Sequence, residues 1–97
     1  MARVVREREV ESYFKTRVKA AGGLARKFVS PGRVGVSDQI CGFPGERFAF
    51  VELKRPSKSA EDHQAREHAR WRALGFYVVV IDTKEGVDRF IQFMTRP

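Results

Sequence analysis

The sequence predicts an α/β fold, a mixed central sheet flanked by helices in the order αβββαβα, and three observations carry that prediction. The run FAFVEL, Phe48 to Leu53, is apolar at five of six positions with no polar alternation, as in a strand covered on both faces. A second such run, FYVVVI, spans Phe76 to Ile81. Between and around these runs lie segments with helical periodicity that stop at glycines, at Gly22-Gly23 and at Gly75.

Taken in order, Val5 to about Ala21 has the helical pattern, and Gly22-Gly23 suits a left-handed cap after it. LARKFV is the next strand. SPGRVGVS is a loop by its proline and glycines, and it leads into a short strand starting near Asp38. FPGE is a tight turn into the strand that begins at Phe48, so the three strands form a hairpin-like meander. After Arg55-Pro56 the chain leaves the sheet, and Ser59 is positioned to cap a helix from about Ala60 to Leu74. The FYVVVI strand follows. Thr83 then caps a last helix whose Val87, Phe90, Ile91 and Met94 fall on one apolar face. No repeat, low-complexity tract or linker interrupts the 97 residues, which read as a single domain with one core and an open site.

Composition narrows the function. Nineteen Lys+Arg against twelve Asp+Glu give a formal charge of +7, which favours a polyanionic partner, nucleic acid before an acidic membrane. A basic amphipathic membrane-surface helix is not evident, and the longest apolar run is far below the roughly 20 residues that cross a bilayer. MARVVREREVE carries charges where a signal peptide needs an apolar core, so a cytoplasmic protein is expected. One cysteine, Cys41, with two histidines, His63 and His68, offers no intrachain disulfide and no zinc spacing.

The chemistry concentrates at the end of the FAFVEL strand. Glu52 and Lys54 emerge on one face of that strand and Leu53 on the other. A carboxylate near the centre of a sheet needs a compensating cation. Asp38, at the start of the preceding strand, is brought beside it by hairpin pairing, although alone it reads equally as a turn aspartate. Two converging carboxylates, with waters and a carbonyl, suit Mg²⁺ or Mn²⁺. In the first helix, at about 100° per residue, Val10, Phe14, Val18 and Ala21 all fall within about 60° of Glu7. Glu7 is therefore the favoured inward acid, with Glu11 on the flank in reserve and Glu9 facing away; first-turn acids also complement the helix dipole without any metal. The second helix places Gln64 on one stripe with Ala60, Trp71 and Leu74, near the end of the strand bearing Lys54, and His68 near the same face reads as a packing or phosphate contact.

These motifs together, GVSD, FVELKRP and the helical EREVE, resemble the PD-(D/E)xK nuclease superfamily. More closely, EREVESYFKTRVKAAGGLARKFVSPGRVGVSDQI with FAFVELKRP and HQAREHARWRALGFYVVVID is similar to a stand-alone VRR-NUC domain of the bacteriophage type, from Glu7 to about Asp82. The resemblance implies a restriction-endonuclease-like core. It makes Asp38 and Glu52 metal ligands, the Leu53 carbonyl a further ligand, Glu7 a member of the metal site and Lys54 the catalytic lysine, and it matches Gln64 to a glutamine that follows the lysine motif. Ser37 departs from the proline usual before the aspartate, and Glu61 from a serine often found three residues before the glutamine. The implied activity is Mg²⁺-dependent (or Mn²⁺-dependent) cleavage of DNA by a homodimer acting on Holliday junctions, in a bacterial host's cytoplasm for a phage-encoded protein. Flaps or other branched DNA are the nearest alternative substrates, and a non-catalytic basic DNA-binding module the alternative class. Lys27, Arg33, Arg55 and Lys58 flank the proposed centre as candidate backbone contacts.

Overall fold

In the computed structural model, residues 5–29, 32, 37–54 and 62–97 are described. The elements follow in the expected order: α1 (Glu7–Ala20), β1 (Leu24–Lys27), β2 (Gln39–Phe43), β3 (Arg47–Leu53), α2 (Asp62–Ala73), β4 (Val78–Ile81) and α3 (Lys84–Met94). One sheet holds the strands in the order β1-β2-β3-β4, with the first two pairings antiparallel and β3-β4 parallel. The meander and the crossover through α2 make the sheet mixed.

Alternation along the strands gives the sheet two distinct faces, each covered by helix. Cys41 and Phe43 of β2, and Ala49, Val51 and Leu53 of β3, point into one core with Val10, Phe14 and Val18 of α1 and Val87, Phe90, Ile91 and Met94 of α3. The apolar face expected for α3 is thus buried as a unit, and Thr83 caps it by accepting a hydrogen bond from the Gly86 N–H at 2.9 Å. Tyr13 donates to Asp88 at 2.6 Å and Arg17 lies 3.3 Å from the same carboxylate, which ties α1 to α3. On the opposite face α2 lays Trp71 against Phe50, ring centroids 4.8 Å apart.

Gly22 adopts φ +81° and ends α1 in the left-handed region, as its position after the periodic segment predicts. Gly23 is fixed for another reason: a Cβ there would come within 2.8 Å of the Phe43 ring and 2.9 Å of the Gly42 carbonyl.

Three expectations need correction. Glu7 is exposed and not part of the buried stripe of α1, which is Val10, Phe14 and Val18; it is the first helical residue, with no turn before it to bring it under cover. Leu74 is 71% exposed, because α2 ends at Ala73 and the chain turns at Gly75; Glu67 and His68 are the buried residues of that helix. Phe48 is 42% exposed: α2 shields Phe50 but does not reach the β1-β2 side, so β3 is covered on both faces only from Ala49 onward. The expected cap Ser59 lies outside the described residues.

Candidate metal and catalytic centre

The pairing of β2 with β3 builds the centre. One step beyond the Gln39–Val51 pair, Asp38 stands across from Glu52. Its carbonyl accepts from the Phe28 N–H at 2.7 Å, and its carboxylate lies 3.4 Å from the Leu53 N–H, so strands on both sides hold it. Lys54 Nζ lies 3.4 Å from the Glu52 carboxylate, as expected of neighbours on one strand face. The structure therefore brings Asp38, Glu52 and Lys54 together, and Gln64 of α2 lies close enough to stabilise the charged form of Glu52.

Glu52 is 4% exposed. Burial raises its pKa above the usual carboxylate range, while Lys54, the Asp38 main chain and Gln64 oppose the rise by stabilising the charged form. Asp38 is half-buried and pushed from 3.8 up to about 6, first by burial, then by the like charge of Glu52; the Leu53 N–H works against the rise, and Glu11 and Glu7 add to it. Three acids, one from β3 and two from α1, thus bear on one carboxylate. Of the two helical acids Glu11 acts more strongly than Glu7, and it is also the less exposed of the two, with an ion pair to Lys15 at 3.0 Å.

A divalent cation fits this arrangement on the structure's own terms. Glu52 Oε1 is buried with no hydrogen-bond partner among the described residues, and it belongs to a carboxylate already destabilised by desolvation. A hard cation held by Asp38 and Glu52 would satisfy that oxygen and offset the repulsion. Among the described residues no group of three or more His, Cys, Asp or Glu side chains is arranged to hold a metal. The two carboxylates brought together here, Asp38 and Glu52, are hard oxygen donors of the kind that suit Mg²⁺, which keeps several waters, better than Zn²⁺. Cys41 takes no part: burial pushes its thiol up to about 12.

No family model matches the chain. The protein named "Putative nuclease p44" of Acyrthosiphon pisum secondary endosymbiont phage 1 is 43% identical over 83 residues, 86% of this chain and 89% of that protein. A solved structure titled "VRR_NUC domain" is 38% identical, superposes with a TM-score of 0.83, and covers 89% of this chain and 94% of its own. The chain belongs to the VRR-NUC family of nucleases. The four-stranded mixed sheet and its flanking helices are the restriction-endonuclease-like fold of a VRR-NUC domain.

Of the four cations expected to flank this VRR-NUC centre, Lys27 is exposed at the end of β1, opposite Gln39 and so beside Asp38. Arg33, Arg55 and Lys58 lie outside the described residues. Reading the sequence missed a neighbouring cationic surface: Lys15 and Lys19 of α1 and Arg26 of β1 line an open groove of about 390 Å³ between helix and sheet edge. The signal was present in the i,i+4 spacing of the two lysines, which places both on one helix face. His68 is a packing residue, 1% exposed, as its place on the helix suggests, but its Nε2 is also 3.1 Å from the Ser37 hydroxyl, next to Asp38.

Proposed function

We propose that this chain is a divalent-metal-dependent, structure-selective DNA endonuclease that resolves four-way junctions as a homodimer. The observation that carries the metal dependence is the buried Glu52 Oε1, without a hydrogen-bond partner among the described residues, in a carboxylate whose charge bears on Asp38 and whose Oε2 lies 3.4 Å from Lys54 Nζ. Asp38 and Glu52 would hold Mg²⁺ or Mn²⁺, with the Leu53 carbonyl as a third protein ligand and Glu11 or Glu7 as the helical acid nearby. When bound, the cation supplies Lewis acidity, lowering the pKa of water and neutralising charge on the phosphate.

The chain's own residues do the rest. Lys54, held by Glu52, presents N–H donors that orient the attacking water or stabilise negative charge on the phosphorane and on the departing oxygen. Gln64, whose amide stabilises the charged Glu52, would keep that carboxylate aimed. Lys27, with Lys15, Lys19 and Arg26 along the groove, offers a positive track for the phosphate backbone, consistent with a formal charge of +7. Arg33, Arg55 and Lys58 are proposed to extend it.

Two-fold pairing suits a two-fold substrate and yields paired nicks. The apolar side chains left open on the β1-β2 face, Leu24 at 57% and Phe48 at 42% exposure, around a groove of about 500 Å³, are the surface that pairing would cover. The test is to incubate the protein with synthetic four-way junction, flap and linear duplex in Mg²⁺, Mn²⁺ or EDTA and to map the products. Symmetrical nicks at the junction, absent in EDTA, support the proposal. Preferential flap cutting replaces the substrate class, and binding without cleavage of any substrate in any metal overturns the enzyme reading in favour of a binding module.

A further inference from the structure

Asp38 is anchored unequally along the chain. On its C-terminal side, β2 begins at once with Gln39 paired to Val51 and Lys27. On its N-terminal side, the residue before it, Ser37, belongs to no strand and is held by a different device. Ser37 is 3% exposed and His68 1% exposed, and Ser37 Oγ lies 3.1 Å from His68 Nε2, one donating and the other accepting according to the imidazole tautomer. Two buried polar groups thus satisfy each other across 31 residues of sequence, joining the lead-in to β2 to the middle of α2. Burial, followed by the charge of Arg72, pushes the imidazole below its ordinary range, with Glu67 opposing and Lys54 adding to the fall, so the ring is neutral at physiological pH. Gln64 precedes His68 by four residues, one helical turn, on the same helix face, and it lies beside Glu52, whose charged form it stabilises. One face of α2 therefore grips the peptide segments that carry both carboxylates.

We propose that α2 is the positioning element of the metal centre, with His68 setting Asp38 through the Ser37 hydroxyl while Gln64 sets Glu52. The role rests on the metal-nuclease reading above, but neither His68 nor Ser37 touches the reacting atoms. Loss of the bond frees the backbone ahead of Asp38, and displacement of a ligand by even about 1 Å lowers metal affinity and turnover without altering how DNA is held.

The test measures Mn²⁺ binding by calorimetry and cleavage kinetics on the same proteins: parent, Ser37→Ala, His68→Ala, His68→Gln, the double variant S37A/H68A, and Asp38→Asn as reference. Far-ultraviolet circular dichroism checks folding. The expected result is Mn²⁺ affinity about 10- to 100-fold weaker in S37A and H68A, kcat lowered to a similar extent and the KM for DNA unchanged. H68Q, whose amide nitrogen reaches the position of Nε2, recovers most of the loss. The double variant is no worse than either single one, because both remove the same bond. Should H68A fail to fold, S37A, which removes a single oxygen, carries the same expectation. If S37A, and H68A where it folds, bind Mn²⁺ and turn over as the parent does while Asp38→Asn loses binding, the positioning role is wrong and the metal site stands. If Asp38→Asn itself binds Mn²⁺ like the parent, the metal site is wrong and the positioning role falls with it.

Discussion

Asp38→Asn is expected to stabilise the metal-free protein while abolishing its cleavage of DNA. In the folded chain Asp38 binds its proton more tightly than an ordinary aspartate, with a pKa raised from 3.8 to about 6 by burial and by Glu52. A carboxylate shifted in this direction contributes stability below pH 3.8, and that stability is lost as pH rises through about 6. At about 1.36 kcal/mol per pH unit, the full displacement is worth ~3 kcal/mol. Asp38 is half-buried and solvent screens part of the repulsion, so about 1–2 kcal/mol is the working figure. Asparagine keeps an oxygen to accept the Leu53 N–H, leaving that bond in place while the charge is removed. For a domain of this size, about 1 kcal/mol moves Tm by about 4–8 °C. Thermal melts in EDTA at pH 7.5 should therefore place the variant roughly 5–10 °C above the parent, with the gap closing toward pH 4, where both side chains are neutral. Added Mg²⁺ should narrow or reverse the order, since only the parent gains binding energy. A variant melting at or below the parent at pH 7.5, or a gap indifferent to pH, would refute the electrostatic account of the centre.

Lys54→Ala should leave DNA binding within a few-fold of the parent and lower kcat by about 100- to 1000-fold, as read by gel-shift and single-turnover cleavage. Reversing the groove charges with Lys19→Glu and Arg26→Glu together, in the Asp38→Asn background to prevent cutting, should weaken binding to every sequence alike. It should also flatten the dependence of log K on log salt by about 0.9 for each phosphate that the protein ceases to neutralise; an unchanged slope removes the groove from the DNA track. Thr83→Ala deletes the cap on α3 and should cost about 1 kcal/mol in urea denaturation with no change in metal affinity. Leu24→Glu with Phe48→Glu should leave a folded monomer by light scattering if the open β1-β2 face is the dimer surface, and an unaltered dimer would move that surface elsewhere.

The parts of this molecule visible in the sequence are those where a local pattern and the global fold agree. The apolar runs of β3 and β4, the Thr83 cap with its four-residue apolar face, and the glycine at φ +81° after α1 each have one physical reading. The juxtaposition of Asp38 with Glu52 followed from antiparallel pairing and the two-residue period of a strand. Helical projection was less secure. It is blind to where a helix begins, so it placed Glu7 in a stripe that the fold covers only from Val10 onward. It is equally blind to where a helix ends, so it assigned Leu74 to a face that the chain leaves at Gly75. The Ser37–His68 bond spans two strands and the start of α2, and no periodicity links such positions. The lysine and arginine groove likewise depends on how α1 lies against β1.

The proposed chemistry turns on whether Asp38 and Glu52 would hold a divalent cation between them. Anomalous diffraction from a crystal grown in Mn²⁺ tests this most directly. The expected map has a single strong peak within coordination distance of carboxylate oxygens of both Asp38 and Glu52, with Glu52 Oε1 among the ligands. A map in which those two side chains point apart with no peak between them would contradict it.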